Sequence, residues 1–296
     1  MELQWPLIIF TTLLAWSAGL FAAQGIAALR GKSARSQLPA LVTSAVLLVV
    51  GGISVVFHLE HWERIFNGFG NPTSGITQEL VAIVVMAVVM IVFFAYLRRG
   101  DGERAVPAWV AVLAIVSAVV LVVVMAHSYM MSARPMWNSV LWIVYVLGNA
   151  CLLGPATLTF IDTVCGEDTA PSAQVTVIAV IVGAVIALAY ALWLQFGGGA
   201  FSEVGYYYDP THPTYGMVDV MAATDVAGGS AAMTLWLGAL GVGALVPLVA
   251  ALAAWRKGGA ATWKAAAAII VVAALIGAVC MRMVFYQLGL SLFAIF

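Results

Sequence analysis

Eight stretches of this chain are long and apolar enough to cross a bilayer, and nearly all of its charge sits between them. A spanning helix needs about 20 mostly apolar residues. Cutting the sequence at its charged and Gly/Pro-rich breaks predicts helices at Pro6–Leu29, Leu38–Phe57, Leu80–Leu97, Trp109–Met130, Val140–Phe160, Val175–Phe196, Met233–Trp255 and Ala265–Leu288. None of these runs alternates with the period of two that marks a membrane barrel strand, and backbone groups in hydrocarbon must find partners within their own segment. The expected fold is therefore an all-α integral membrane protein, a bundle of eight transmembrane helices forming one polytopic domain over residues 1–296. The first segment lacks a basic leader and a small-residue cleavage site, so it reads as a retained span.

An even number of spans puts both termini on one side, and the basic residues choose that side. Nine of the 12 Lys and Arg fall in alternate connections: Arg30, Lys32 and Arg35, then Arg98, Arg99 and Arg104, then Arg256, Lys257 and Lys264. These nine are expected to face the cytoplasm, leaving both termini on the outer, extracytoplasmic side. The outer side then collects His58, His61, Glu79, His127, Tyr129, Arg134, Trp137, Arg282 and Tyr286. It also receives the connection at about 197–232, "GGGAFSEVGYYYDPTHPTYG" and onward, which is too long to be a simple turn and reads as a cap or a docking platform.

Net charge narrows little: a formal charge of -1 offers no broad field for nucleic acid or anionic surfaces. The three cysteines, Cys151, Cys165 and Cys280, are far apart and form no CxxC pair, so nothing in their spacing points to an iron–sulfur cluster or zinc. No metal site is expected.

Chemistry concentrates where ionisable groups meet the membrane. His58 closes the second predicted span and Glu79 opens the third, so both return to the same outer interface. A histidine and a partly desolvated carboxylate there suit proton acceptance from a lipid-soluble hydroxyl compound. The competing reading makes them solvated helix ends, since Thr77, Gln78 and Glu79 resemble a helix first turn. His58 and His127 also raise the possibility of two axial haem ligands, against which His127 reads as an interfacial hydrogen-bonding residue. Arg282 lies inside the last apolar run, where a guanidinium must find a carboxylate, a carbonyl or water, or else snorkel outward. Tyr286 follows four residues later on the same helix face. In "GVGALVPL", Gly241, Gly243 and Pro247 mark close helix approach or a kink.

Several short motifs occur together in order: "QWPLIIFTTL" at the start, "HLEHWERIFNGFG" with His58, Arg64, Phe66 and Asn67, "ITQEL" with Glu79, "SYMMSARPMWNS" with Tyr129, Pro135 and Trp137, "LLGP" at Gly154–Pro155, and "RMVFYQLG" near the end. In this order and with eight spans, the chain resembles the membrane anchor subunit of DMSO reductase, the DmsC family. The resemblance implies an anchor that binds a four-cluster ferredoxin-like iron–sulfur subunit and a molybdopterin catalytic subunit at the inner membrane. It further implies menaquinol oxidation in anaerobic respiration, with menaquinol as substrate and no haem or iron–sulfur cluster in the chain itself. The family's quinol-site histidine and glutamate carry over onto His58 and Glu79, with Arg64, Tyr129, Arg282 and Tyr286 as further quinol-binding candidates. This chain departs from the family pattern in having Glu60 after "HL" and His127 where an arginine is expected before the tyrosine.

Two other classes fit eight spans with embedded polar groups: a transporter and a purely structural anchor. The cytoplasmic half of the predicted bundle carries no ionisable residue at mid-depth, which favours a one-sided site over a route across the membrane.

Overall fold

In the computed structural model, residues 3–58, 70–100, 106–196, 206–207, 218–219, 229 and 231–289 are described. They form helices α1 (Trp5–Leu29), α2 (Gln37–Val56), α3 (Gly75–Arg99), α4 (Ala108–Ser128), α5 (Val140–Cys165), α6 (Ala170–Phe196), α7 (Thr234–Lys257) and α8 (Ala260–Gln287), all eight long and apolar enough to span a bilayer. The only pairing of strands among the described residues is the two-residue ladder β1 (Tyr206–Tyr207) with β2 (Val218–Asp219), antiparallel, inside the long α6–α7 connection. Apart from these strands, residue 229 and residues 231–233, that connection lies outside the described residues, as do Glu60, His61 and Arg64.

Helices α1 and α5 form the centre of the bundle, and small residues let their backbones meet. A Cβ at Gly19 would lie 2.0 Å from the Ala150 carbonyl oxygen, and one at Gly154 would lie 2.1 Å from the Gly19 oxygen. Lipid is as apolar as leucine, so such close packing and interhelical hydrogen bonds take over the role that burial plays in water. The bonds are present. Ser17 and Ser44 exchange hydroxyl-to-carbonyl bonds at 2.7 Å in both directions between α1 and α2, Trp16 Nε1 donates to Thr157 Oγ1 at 2.8 Å, and the Thr159 and Thr176 hydroxyls pair at 2.9 Å. Outward-facing positions carry Val42, Val46, Val49 and Ile53 on α2, Val81, Val84, Val88 and Ile91 on α3, and Ile178, Val182 and Val185 on α6, all exposed and placed to meet acyl chains.

The first half of α7, Thr234–Leu245, winds as a π-helix before the α-helical Val246–Lys257. Gly243 in this segment packs backbone to backbone on Gly277 of α8, where a Cβ would lie 2.3 Å from the Gly277 Cα. Of the three residues expected to mark close approach or a kink, Gly243 is the contact, Gly241 is not, and Pro247 sits where the α-helical half begins.

The two ends of the bundle differ. At one end lie Arg30, Lys32 and Arg35 after α1, Arg98 and Arg99 in the last turn of α3, and Arg256 and Lys257 in the last turn of α7. Cations at helix C-termini also complement the helix dipole. At this basic end Asp162 is fully buried in the last turns of α5, its Oδ2 accepting from Ser33 Oγ at 3.0 Å. The span expected to end at Phe160 runs on to Cys165 and so takes Asp162 into the helix. At the opposite end α1 begins, α8 finishes and the aromatic residues gather.

Candidate functional site

Four of the six candidate site residues converge at that aromatic end: Glu79, Tyr129, Arg282 and Tyr286. Helix α3 starts at Gly75, where a Cβ would lie 3.0 Å from Ser128 Cβ, so the backbones of α3 and α4 nearly touch. One turn further along α3, Glu79 is 7% exposed and its Oε2 accepts from Ser128 Oγ at 3.4 Å. Its Oε1 is buried with no hydrogen-bond partner. Glu79 lies beyond the first turn of α3, which contains no acidic residue, so the helix-capping reading does not hold.

Tyr129 caps α4 immediately beyond Ser128. Its ring meets Tyr286 of α8 edge to face at 6.1 Å, which brings the two tyrosines together at this end of the bundle. Glu79 is tied to Ser128, the residue before Tyr129, and Arg282 lies one turn before Tyr286 on α8.

Arg282 does not snorkel. It is fully buried, with Nε donating to Thr11 Oγ1 at 3.0 Å, Nη2 to the Thr11 carbonyl at 3.2 Å and Nη1 to the Ala278 carbonyl at 3.1 Å. Of the three solutions open to a guanidinium at this depth, the chain uses carbonyls. The Thr11 hydroxyl is itself held by the Leu7 carbonyl at 2.8 Å, so it is oriented to accept.

An aromatic wall flanks the group. Phe285 stacks on Trp137 at 4.7 Å and on Trp142 at 3.8 Å, both at 10° between planes, and the row continues through Tyr145 and Tyr190 to Trp193. Trp137 Nε1 donates to the Phe285 carbonyl at 2.6 Å, and Arg134 donates to the Gly289 carbonyl while sitting 4.7 Å over the Trp137 ring. The "SARPMWNS" turn thus clamps the end of α8.

His58 stands apart. It follows the end of α2, exposed, with its backbone N–H donating to the Val55 carbonyl at 3.0 Å. No hydrogen bond or ion pair joins His58 to Glu79. His127 is likewise exposed, on the last turn of α4. Among the described residues no three His, Cys, Asp or Glu side chains are grouped so as to hold a metal ion. Arg64 lies outside the described residues.

Sequence reasoning missed Ser128, Thr11 and Trp142. Ser128 had a signal in its position beside Tyr129 at the end of a span. Thr11 had none, being 271 residues from the arginine it receives.

The architecture defines a multi-pass helical membrane protein with a buried polar group and an aromatic wall at one end, and no comparable extramembrane domain among its described residues. The DMSO reductase anchor subunit (DmsC) family matches residues 1–290, and the chain belongs to that family. It is accordingly a membrane anchor subunit of a DMSO reductase-type molybdoenzyme complex, which entails catalytic and electron-transfer partner subunits. No curated protein matches the sequence.

Proposed function

We propose that this subunit oxidises a quinol, menaquinol by family resemblance, at the aromatic end of the bundle. The observation that carries the reading is the buried Glu79 carboxylate with one oxygen unpartnered, beside the packed Tyr129 and Tyr286 rings and the fixed cation of Arg282. A buried acceptor atom without a partner is costly, and a hydroxyl donor from a ligand removes the cost. Oxidation of a quinol to the quinone releases two protons and two electrons. Glu79 accepts a proton from one hydroxyl. Arg282 and the tyrosine pair hold the headgroup and stabilise the negative charge that develops on its oxygen. The Trp137–Phe285–Trp142 wall supplies a flat apolar surface for the ring.

His58 belongs to the entry side in this reading, taking protons from Glu79 or from the second hydroxyl and passing them to water. Arg64 is the sixth candidate of the same site. Electrons leave to the nearest cluster of a docked four-cluster ferredoxin-like iron–sulfur subunit and from there to a molybdopterin catalytic subunit. The basic end faces the cytoplasm of the inner membrane, both termini face outward, and protons are released on the outer side during anaerobic respiration.

The test measures quinol-dependent and artificial-donor reduction on the assembled complex. Glu79→Gln preserves shape and should lower quinol-dependent turnover by about 10²-fold or more, the scale of a general base, with artificial-donor activity retained. His58→Ala should slow quinol turnover less. Normal quinol turnover in Glu79→Gln refutes the assignment.

A further inference from the structure

At the basic end, a shallow groove opens between α1, α5 and α6. Its floor is apolar, with Ala27 of α1, Leu158 of α5 and Val175 of α6, and its rim carries Arg30, Lys32 and Ser33. The two cations are exposed, and neither makes an ion pair with a described residue.

Their positions are fixed by the way α1 ends. Gly31 takes a left-handed conformation at φ 61°, its N–H bonds the Ala28 carbonyl at 3.1 Å, and the Lys32 N–H bonds the Ala27 carbonyl at 2.9 Å. This is the Schellman closure of a helix, in which glycine accepts the positive φ without a side-chain clash. Ser33 follows, also left-handed at φ 58°, and is tied by its hydroxyl to Asp162. Arg30 and Lys32 are thereby carried on one closed turn at the mouth of the groove. Asp162, the carboxylate that accepts from Ser33, is fully buried and does not line the groove. Glu167 and Asp168, the acids of the α5–α6 connection, accept the Arg35 N–H at 2.5 Å and the Ala170 N–H at 3.1 Å.

We propose that the groove is a binding site for one anionic glycerophospholipid, with its phosphodiester between Arg30 and Lys32 and its glycerol and first acyl carbons on Ala27, Leu158 and Val175. The occupant is identified by the match of chemistry to depth. Cations sit at the edge of the membrane-spanning region and apolar surface continues from them toward the hydrocarbon, which is the order of groups along a phospholipid. Basic pockets between spanning helices recognise anionic headgroups in this way. A soluble anion matches the rim and leaves the apolar floor wet. The site lies at the opposite end from the quinol group and is independent of that reading.

Native mass spectrometry of the full chain in neutral detergent tests the proposal, with phosphatidylglycerol and phosphatidylcholine offered at equal concentration. The wild type should retain one phosphatidylglycerol in preference to phosphatidylcholine. R30Q/K32Q should reduce that preference roughly thirtyfold, two cations each contributing about a factor of five. R98Q/R99Q, at the same end but outside the groove, should leave it unchanged. Ala27→Phe fills the floor, keeps both cations and should also lose the lipid. Equal retention of the two lipids overturns the proposal, as does equal loss in R98Q/R99Q. Full retention by Ala27→Phe, or displacement of the lipid by millimolar inorganic phosphate, does the same.

Discussion

Arg282→Met separates the structural from the chemical role of the buried guanidinium. Arg282 makes two hydrogen bonds across to α1 and one within α8. Interhelical bonds in a bilayer average about 0.6 kcal/mol each, so losing all three costs about 2 kcal/mol. The acceptors are not orphaned, because the Thr11 and Ala278 carbonyls lie within helices and the Thr11 hydroxyl still donates to Leu7. In the other direction, removing a cation from membrane depth returns about 2.5–3.5 kcal/mol on insertion scales. The two contributions nearly cancel. Arg282→Met, similar in length and apolar, should therefore leave the unfolding free energy of the purified chain within about 2 kcal/mol of wild type. Arg282→Ala adds an unfilled volume at a fully buried position and should cost about 2–5 kcal/mol. Denaturation in mixed detergent micelles measures both. Under the proposed function, Arg282→Met also loses quinol-dependent turnover. If Arg282→Met proves as destabilising as Arg282→Ala, the carbonyl bonds are worth far more than this reasoning allows and the role of Arg282 is structural first.

Gly154→Leu should prevent α1 and α5 from meeting, since even a Cβ falls on the Gly19 backbone, and membrane-extracted protein should lose its sharp thermal transition. Retention of that transition would show that the crossing can open without cost. Trp137→Phe removes the bond to the Phe285 carbonyl while keeping an aromatic ring, so a loss of about 1–2 kcal/mol is expected in the same denaturation assay, and no loss would deny the clamp on α8. Tyr286→Phe and Tyr129→Phe each remove a hydroxyl from the proposed headgroup site, so quinol affinity should fall in both, and because the two rings are in contact the double variant should fall by less than the sum. Fully additive losses measured by quinol-analogue titration would mean that the hydroxyls act separately.

The spans were legible because lipid imposes one requirement on every residue of a crossing helix, and the charged breaks around Arg30, Arg98 and Arg256 delimit them, although α3, α6 and α8 begin at Gly75, Ala170 and Ala260, ahead of the expected Leu80, Val175 and Ala265. The α7 start is expected at Met233 and found at Thr234. Helix ends were read less well where polar residues are satisfied inside the fold: Asp162 lies in α5 because Ser33, 129 residues away, receives it. The site was half legible. Tyr286 and Arg282 share a helix face at a spacing of four, and Glu79 was marked as an acid at a membrane boundary. Its approach to Ser128 depends on the Gly75 contact between two helices, which no local pattern announces. His58 stood out through its charged neighbours in sequence, yet its own surroundings are solvent-facing. The π winding of α7 carries no residue signature that distinguishes it from an α-helical apolar run.

That winding sets what α7 can show its neighbour. Gly238 and Gly243 are five residues apart, and each faces α8, Gly238 at Cys280 and Gly243 at Gly277. In an α-helix, with about 3.6 residues per turn, positions five apart diverge by about 140° around the axis, so only one of them would reach α8. A π-helix closes its hydrogen bonds at i→i+5 and brings both to one side. The spacing of the glycines and the pitch of the helix are thus a matched pair. Removing one residue from 239–242 would let an ordinary α-helical pitch restore the same alignment, whereas adding one would break it at either pitch, so this segment should tolerate shortening better than lengthening.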